Sequence, residues 1–167
     1  MRVLMLWLFV LCAALPVAAQ QSAAFPRGGK FILHMTSSQD ASGMADYLIN
    51  PLADAFEKAG MRPGGIDAPF AVSVETGSDV GQWYGKGDAR QWLYKRFVTV
   101  GLSPAEIDIE PEGKLRPAFA VKTVLITPNE DRVDELNCLI ALATRELAAR
   151  YVPKGQVTVD GQSCARR

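Results

Sequence analysis

The chain has 167 residues, 49% of them apolar and 22% charged, which is enough for one globular domain with a buried core. Its formal net charge is zero, so it lacks the electrostatic footprint of a nucleic-acid binder and any surplus of charge for anionic lipid. It has a single histidine, which argues against a histidine-rich metal site, and no motif calls for a cofactor.

Met1–Ala19 reads as a cleavable signal peptide. Arg2 precedes an apolar run from Val3 to Ala14, then Pro16 and small residues, with Val17 and Ala19 at the −3 and −1 positions of a peptidase site. The run is about 12 residues, too short to span a bilayer. Simple secretion is favoured over lipidation at Cys12, because Phe9, Val10 and Leu11 are not the small residues that precede a lipidated cysteine. The expectation is an exported protein, periplasmic or secreted, with no stable membrane insertion. Cleavage removes Arg2 and leaves 17 basic against 18 acidic residues.

Gln20–Gly29 is polar and small and reads as a flexible entry. Lys30–Thr36 is the first predicted strand, with His34 a half-buried strand residue rather than a ligand or catalyst. Helical spacing follows at Met44, Leu48, Leu52, Ala55, Phe56 and Ala59, interrupted by Pro51. Either the helix kinks there, or Asn50 caps a fresh helix that opens on Pro51. Gly60 is the predicted stop. Phe70, Val72 and Val74 then alternate in a second strand that ends near Thr76.

Gly77–Gly87 (GSDVGQWYGKG) carries four glycines and two adjacent aromatics, and it is the candidate site. Its spacing matches neither G-x-G-x-x-G nor the P-loop, which sets a nucleotide aside. Two readings stand. Trp83 and Tyr84 offer flat faces to a sugar or a partner protein, with Asp79, Lys86 and Arg90 as polar contacts. Alternatively, Trp83 and Trp92 close over the end of the sheet and the glycines only permit turns.

Asp88–Val100 fits a strand through Trp92, Tyr94, Arg96, Val98 and Val100. It also fits a helix through Ala89, Leu93, Phe97 and Val100, with Asp88 and Gln91 as a capping pair. The helix is the expectation. A brief strand is predicted at Ile107–Glu110, where Glu106, Asp108 and Glu110 alternate on one face. These carboxylates are the sole acid–base route to a hydrolase; a solvated edge strand is the expected reading. There is no G-x-S-x-G, no H-E-x-x-H and no Cys–His partnership, so catalytic residues are expected to be absent.

Ala118–Ile126 (AFAVKTVLI) is nearly continuous in apolar and β-branched residues, as a central strand should be. Thr127-Pro128-Asn129-Glu130 reads as a capping box with proline at the first helical position. The helix should run to Tyr151, before Pro153, with Val133, Leu136, Ile140, Ala143 and Leu147 as its apolar stripe. Gln156–Asp160 is a predicted edge strand. Cys138 and Cys164 remain after signal cleavage and are expected to form a disulfide in an oxidising compartment. Cys138 lies nearly opposite the stripe, so the bridge should strap the tail across the outside of the helix.

The predicted order is β-α-β-α-β-β-α with a possible last strand. That implies a single two-layer α/β (α+β) domain over residues 30–160, a mixed sheet with helices packed on it, and a tail at 161–167. This order resembles the OmpA-like C-terminal domain that binds peptidoglycan, over about residues 30–127. Val74–Gly81 (VETGSDVG) is similar to the family's strand-end motif, and Leu93, Phe97, Gly101 and Leu102 to its second helix and stop. Ile107 and Lys122–Ile126 sit like its last two strands. Gly77 stands where the family places a carboxylate, with Asp79 two residues later, and Ala89 where it places an arginine, with Arg90 next. The resemblance implies an exported, non-catalytic domain that binds an envelope component, peptidoglycan in that family. Asp79 and Arg90 would then face one cleft. The alternative is a periplasmic protein–protein adaptor or assembly factor, for which Trp83 would be exposed.

Overall fold

The computed structural model describes residues 24–35, 43–105 and 117–165. The elements are β1 (Lys30–His34), α1 (Met44–Lys58), β2 (Arg62–Pro63), β3 (Phe70–Ser78), β4 (Gln82–Tyr84), β5 (Gln91–Pro104), β6 (Phe119–Thr127), α2 (Val133–Arg150) and β7 (Gly155–Asp160). All seven strands belong to one mixed sheet in the order β2-β1-β3-β5-β6-β7, with β4 on β5. β1 runs parallel to both neighbours and β6 to β7, while β5 is antiparallel to β3, β4 and β6. The α+β class and the two-layer plan are as the sequence predicts. The predicted signal peptide and the predicted Ile107–Glu110 strand with its carboxylates lie outside the described residues.

Period-two alternation explains which face is covered. Val72 and Val74 of β3, Val98, Val100 and Leu102 of β5, and Phe119, Val121 and Leu125 of β6 point to one side. Leu48, Leu52 and Phe56 of α1 and Leu136, Leu139, Ile140, Ala143 and Leu147 of α2 meet them in one core. Pro51 lies inside α1, which continues through it as one helix, so the fresh-helix alternative does not hold.

The element order differs from expectation at Asp88–Val100. This stretch is a short 3-10 turn at Gly87–Ala89 followed by β5, the longest strand. The four-residue spacing of Leu93 and Phe97 is real but loses to tertiary context. β5 supplies the hydrogen-bond partner for both β3 and β6, from Ser78↔Arg96 to Phe70↔Pro104 and from Tyr94↔Thr127 to Leu102↔Phe119. A helix here would leave two central strands each without a ladder on one side. Leu93, Phe97, Gly101 and Leu102 therefore occupy a strand where the OmpA-like comparison expects a helix.

Two further expectations are corrected. The helix after β6 begins at Val133, not at Pro128. Thr127 ends the strand; its hydroxyl accepts from Asn129 N at 3.2 Å and donates to Glu135 Oε1 at 3.0 Å, but the helix does not follow until Val133. The described part of the Gln20–Gly29 entry makes specific contacts with the domain. Phe25 is buried edge-to-face against Tyr151, and Gly28 N donates to Gly60 O. Tyr151 also meets Phe119 edge-to-face, and burial raises its phenol above the usual tyrosine pKa.

Cys138 and Cys164 form the disulfide, with Cα atoms 5.6 Å apart. The tail is not an outer strap. Gly161 N donates to Val124 O, a short 3-10 turn follows at Gln162–Cys164, and Cys164 is buried with the core. The sequence separation of 26 residues corresponds to roughly 3 kcal/mol in the chain-entropy account. The Cys138→Ser/Cys164→Ser variant is expected to lose about that much in urea denaturation, with its circular dichroism unchanged before the transition. A stability equal to wild type would show that the bridge closes nothing the fold does not already hold.

Candidate functional site

β3 and β5 pair as far as Ser78↔Arg96, and pairing resumes between β4 and β5 at Gln82↔Leu93. Three residues, Asp79–Gly81, therefore face two, Tyr94 and Lys95. One extra residue on one strand is a β-bulge, which bends the strand and sharpens its twist. Asp79 N donates to Lys95 O across it at 2.9 Å. Beyond the bulge β4 and β5 continue alone, because β6 joins β5 only from Tyr94 onward. The result is a two-stranded arm that leaves the sheet and closes through Gly85 and Gly87, both at positive φ.

Trp83 and Trp92 are direct cross-strand partners. Their rings meet edge-to-face, 5.5 Å apart at an interplanar angle of 79°, a favoured aromatic geometry. The Arg90 guanidinium carbon stands 5.0 Å from the Trp83 ring centre, within cation–π range. The Trp92 indole lies across the Gly81 backbone, where a Cβ would fall inside the ring. Trp83 is 57% exposed and Trp92 42%, and Val80 at the bulge is almost fully exposed. The aromatics do not close over the sheet end.

Of the residues expected at the site, the structure brings together Trp83 and Arg90, and it adds Trp92. Tyr84 alternates to the opposite face of the arm, where its hydroxyl accepts from Gln82 Nε2 at 2.6 Å. Asp79 is exposed on the bulge, and Ser78 Oγ donates to its carbonyl.

A cleft of about 500 Å³ opens at the base of the arm, on the helix side. Tyr47, Thr76, Ser78, Arg96, Glu130 and Val133 are among the residues that line it; neither Asp79 nor Arg90 is. Of these, Arg96 also belongs to a buried polar network. Arg96 Nη1 donates to Arg132 O at 3.1 Å and to Glu135 Oε2 at 3.4 Å. Thr127 Oγ1 and Asn129 Nδ2 each donate to Glu135 Oε1 at 3.0 Å. Glu135 has no solvent exposure, and it sits in the first turn of α2, where the helix dipole favours a carboxylate.

The sequence held a signal for this network: Arg96 interrupts the apolar alternation of Val98, Val100 and Leu102, and Glu135 falls four residues before Leu139 on the buried side. Nearby, the Arg132 guanidinium hydrogen-bonds the Asp134 carboxylate at 2.6 Å. That bond holds Asp134 below the usual carboxylate range and raises Arg132 above its own usual value. Among the described residues no three His, Cys, Asp or Glu side chains converge to hold a metal, and no helix is long and apolar enough to cross a membrane.

No family model matches the chain, and no curated protein matches it in sequence. Among solved structures, a minor lipoprotein from Acinetobacter baumannii is similar at 18% identity. The match covers 77% of this chain and 98% of that one, with a TM-score of 0.45.

Breaking a buried ion pair from one side leaves an uncompensated charge, at a cost of about 3 kcal/mol or more. Arg96→Met alone is expected to destabilise by that amount in urea denaturation. The double variant Arg96→Met/Glu135→Leu should recover most of it, because neither charge then remains. Equal loss in the single and double variants would mean that the pair's geometry, and not its charge balance, holds this end of the sheet.

Proposed function

We propose that this protein is an exported, non-catalytic module of the cell envelope whose β4–β5 arm docks a partner protein. The observation that carries the reading is the exposed Trp83–Trp92 pair with Arg90 stacked on it. Tryptophan and arginine dominate the anchors of protein interfaces, because a rigid ring gives much contact area at little entropic cost. A cross-strand pair held against Gly81 is already ordered, so docking immobilises little that is mobile in the free protein. The Cys138–Cys164 bridge fits an oxidising, extracytoplasmic compartment, and Met1–Ala19 supplies the export signal in this reading.

Wall binding of the OmpA-like kind is the second reading, supported by the open sugar-sized face of Trp83. It is ranked lower because it calls for Asp79 and Arg90 to line one cleft together, and neither lines the cleft at the base of the arm.

The test uses the mature protein as bait on solubilised envelope extract, with insoluble peptidoglycan sacculi as a separate arm. Wild type should retain a discrete protein partner, and Trp83→Ala/Trp92→Ala should reduce that retention at least tenfold, about 1.4 kcal/mol. Partner retention unaffected by the double variant would remove the arm from the account. Sedimentation with sacculi that is lost in Arg90→Ala would replace the partner protein with the wall.

A further inference from the structure

The two edges of the sheet are unlike. At one end β2 has two residues, one of them Pro63, and a short strand with proline offers little to a neighbouring chain. At the other end β7 runs for six residues, Gly155–Asp160 (GQVTVD). It contains no proline and no lysine, the usual means of blunting an edge. Gln156, Thr158 and Asp160 are exposed along it, and Val157 and Val159 are half-buried.

The phase of the ladder shows which groups this edge presents. Gly155 N donates to Ala118 O, and Gly161 N to Val124 O. Parallel pairing keeps that parity between them, so Gly155, Val157, Val159 and Gly161 turn their N–H groups toward β6. Gln156, Thr158 and Asp160 therefore turn both N–H and C=O away from the sheet.

We propose that β7 is a homodimer edge: it pairs antiparallel with β7 of a second copy about a two-fold axis through Thr158, making one continuous sheet. In antiparallel pairing, residues that exchange both hydrogen bonds face each other directly. A dyad at Thr158 sets Thr158 against itself and Gln156 against Asp160, so all three outward-facing residues find partners inside the strand. Six backbone hydrogen bonds result from three such pairs. The side chains agree with this register. Val157 meets Val159 on the helix side, the two threonines meet, and the Gln156 amide meets a carboxylate. Asp160 Oδ1 already accepts from Gln162 N, which leaves Oδ2 for that amide. Moving the dyad to Asp160 would set two carboxylates face to face. Moving it to Val157 would draw Lys154, outside the strand, into the ladder. The edge is separate from the arm, with β6 between β7 and β5, so this association does not depend on partner docking there.

The mature protein with its native disulfide is followed by light scattering over a concentration series. Its mass should rise toward twice that of the monomer. Thr158→Cys should give a covalent dimer under mild oxidation, because the facing Cα atoms would lie about 5.5 Å apart. Gln156→Cys should not, because its two copies would lie roughly 14 Å apart along the strands. Thr158→Pro removes an N–H that the monomer does not use. It should abolish association while circular dichroism stays that of the folded protein. A monomer at every concentration, equal crosslinking at both positions, or association that survives Thr158→Pro in folded protein would each overturn the proposal.

Discussion

The carboxylate of Glu135 is fully buried at the place where the sheet, the long helix and the arm meet. A charge in that position is tolerated only if its oxygens are filled, and Arg96, Thr127 and Asn129 fill them. The requirement reaches further than one contact. It fixes Thr127 as the end of β6, sets the start of α2 at Val133, and pins Arg96 in the last β3–β5 pair before the bulge. The arm departs from that fixed point, so the direction in which Trp83 and Trp92 project depends on a polar cluster that neither residue touches.

The remaining organisation follows from how much of a sheet two helices can cover. α1 and α2 bury one face through a single core. The disulfide draws the tail beneath α2, and Phe25 and Tyr151 close the side where the chain enters. The two surfaces proposed to meet other molecules, the arm beyond the bulge and the edge at β7, both lie beyond the reach of the helices. Both are extended backbone with ordered, exposed side chains. Such elements recognise partners at low conformational cost because they do not have to fold on contact.

Much of the fold was legible in the sequence because local pattern and final structure agree there. Ala118–Ile126 reads as a covered strand, the stripe from Val133 to Leu147 as a packed helix, and Cys138 and Cys164 as a pair. Where sequence reading went astray, long-range pairing overruled a local signal. β5 carries both a four-residue and a two-residue periodicity, and the choice was made by β3 and β6, which need a ladder on either side. The capping pattern at Thr127 does not open a helix for a similar reason, since its hydroxyl also serves Glu135 eight residues on. At the candidate site the glycine-rich, aromatic stretch and Arg90 are legible in the sequence, but the packing of Trp92 edge-to-face on Trp83 is not. Trp92 meets Trp83 only because the bulge sets the β4 register, and no spacing rule in one chain reveals that.

In the proposed function the Trp83–Trp92 arm is the surface through which this protein acts. The most direct test places a photoreactive amino acid at position 83 in the full-length protein in growing cells, with the same probe at Ala141 on the exposed side of α2 as reference. The account predicts discrete protein adducts from position 83 and none of the same mass from position 141. An absence of adducts at position 83 in cells that export and fold the protein, or the same adducts from both positions, would contradict it.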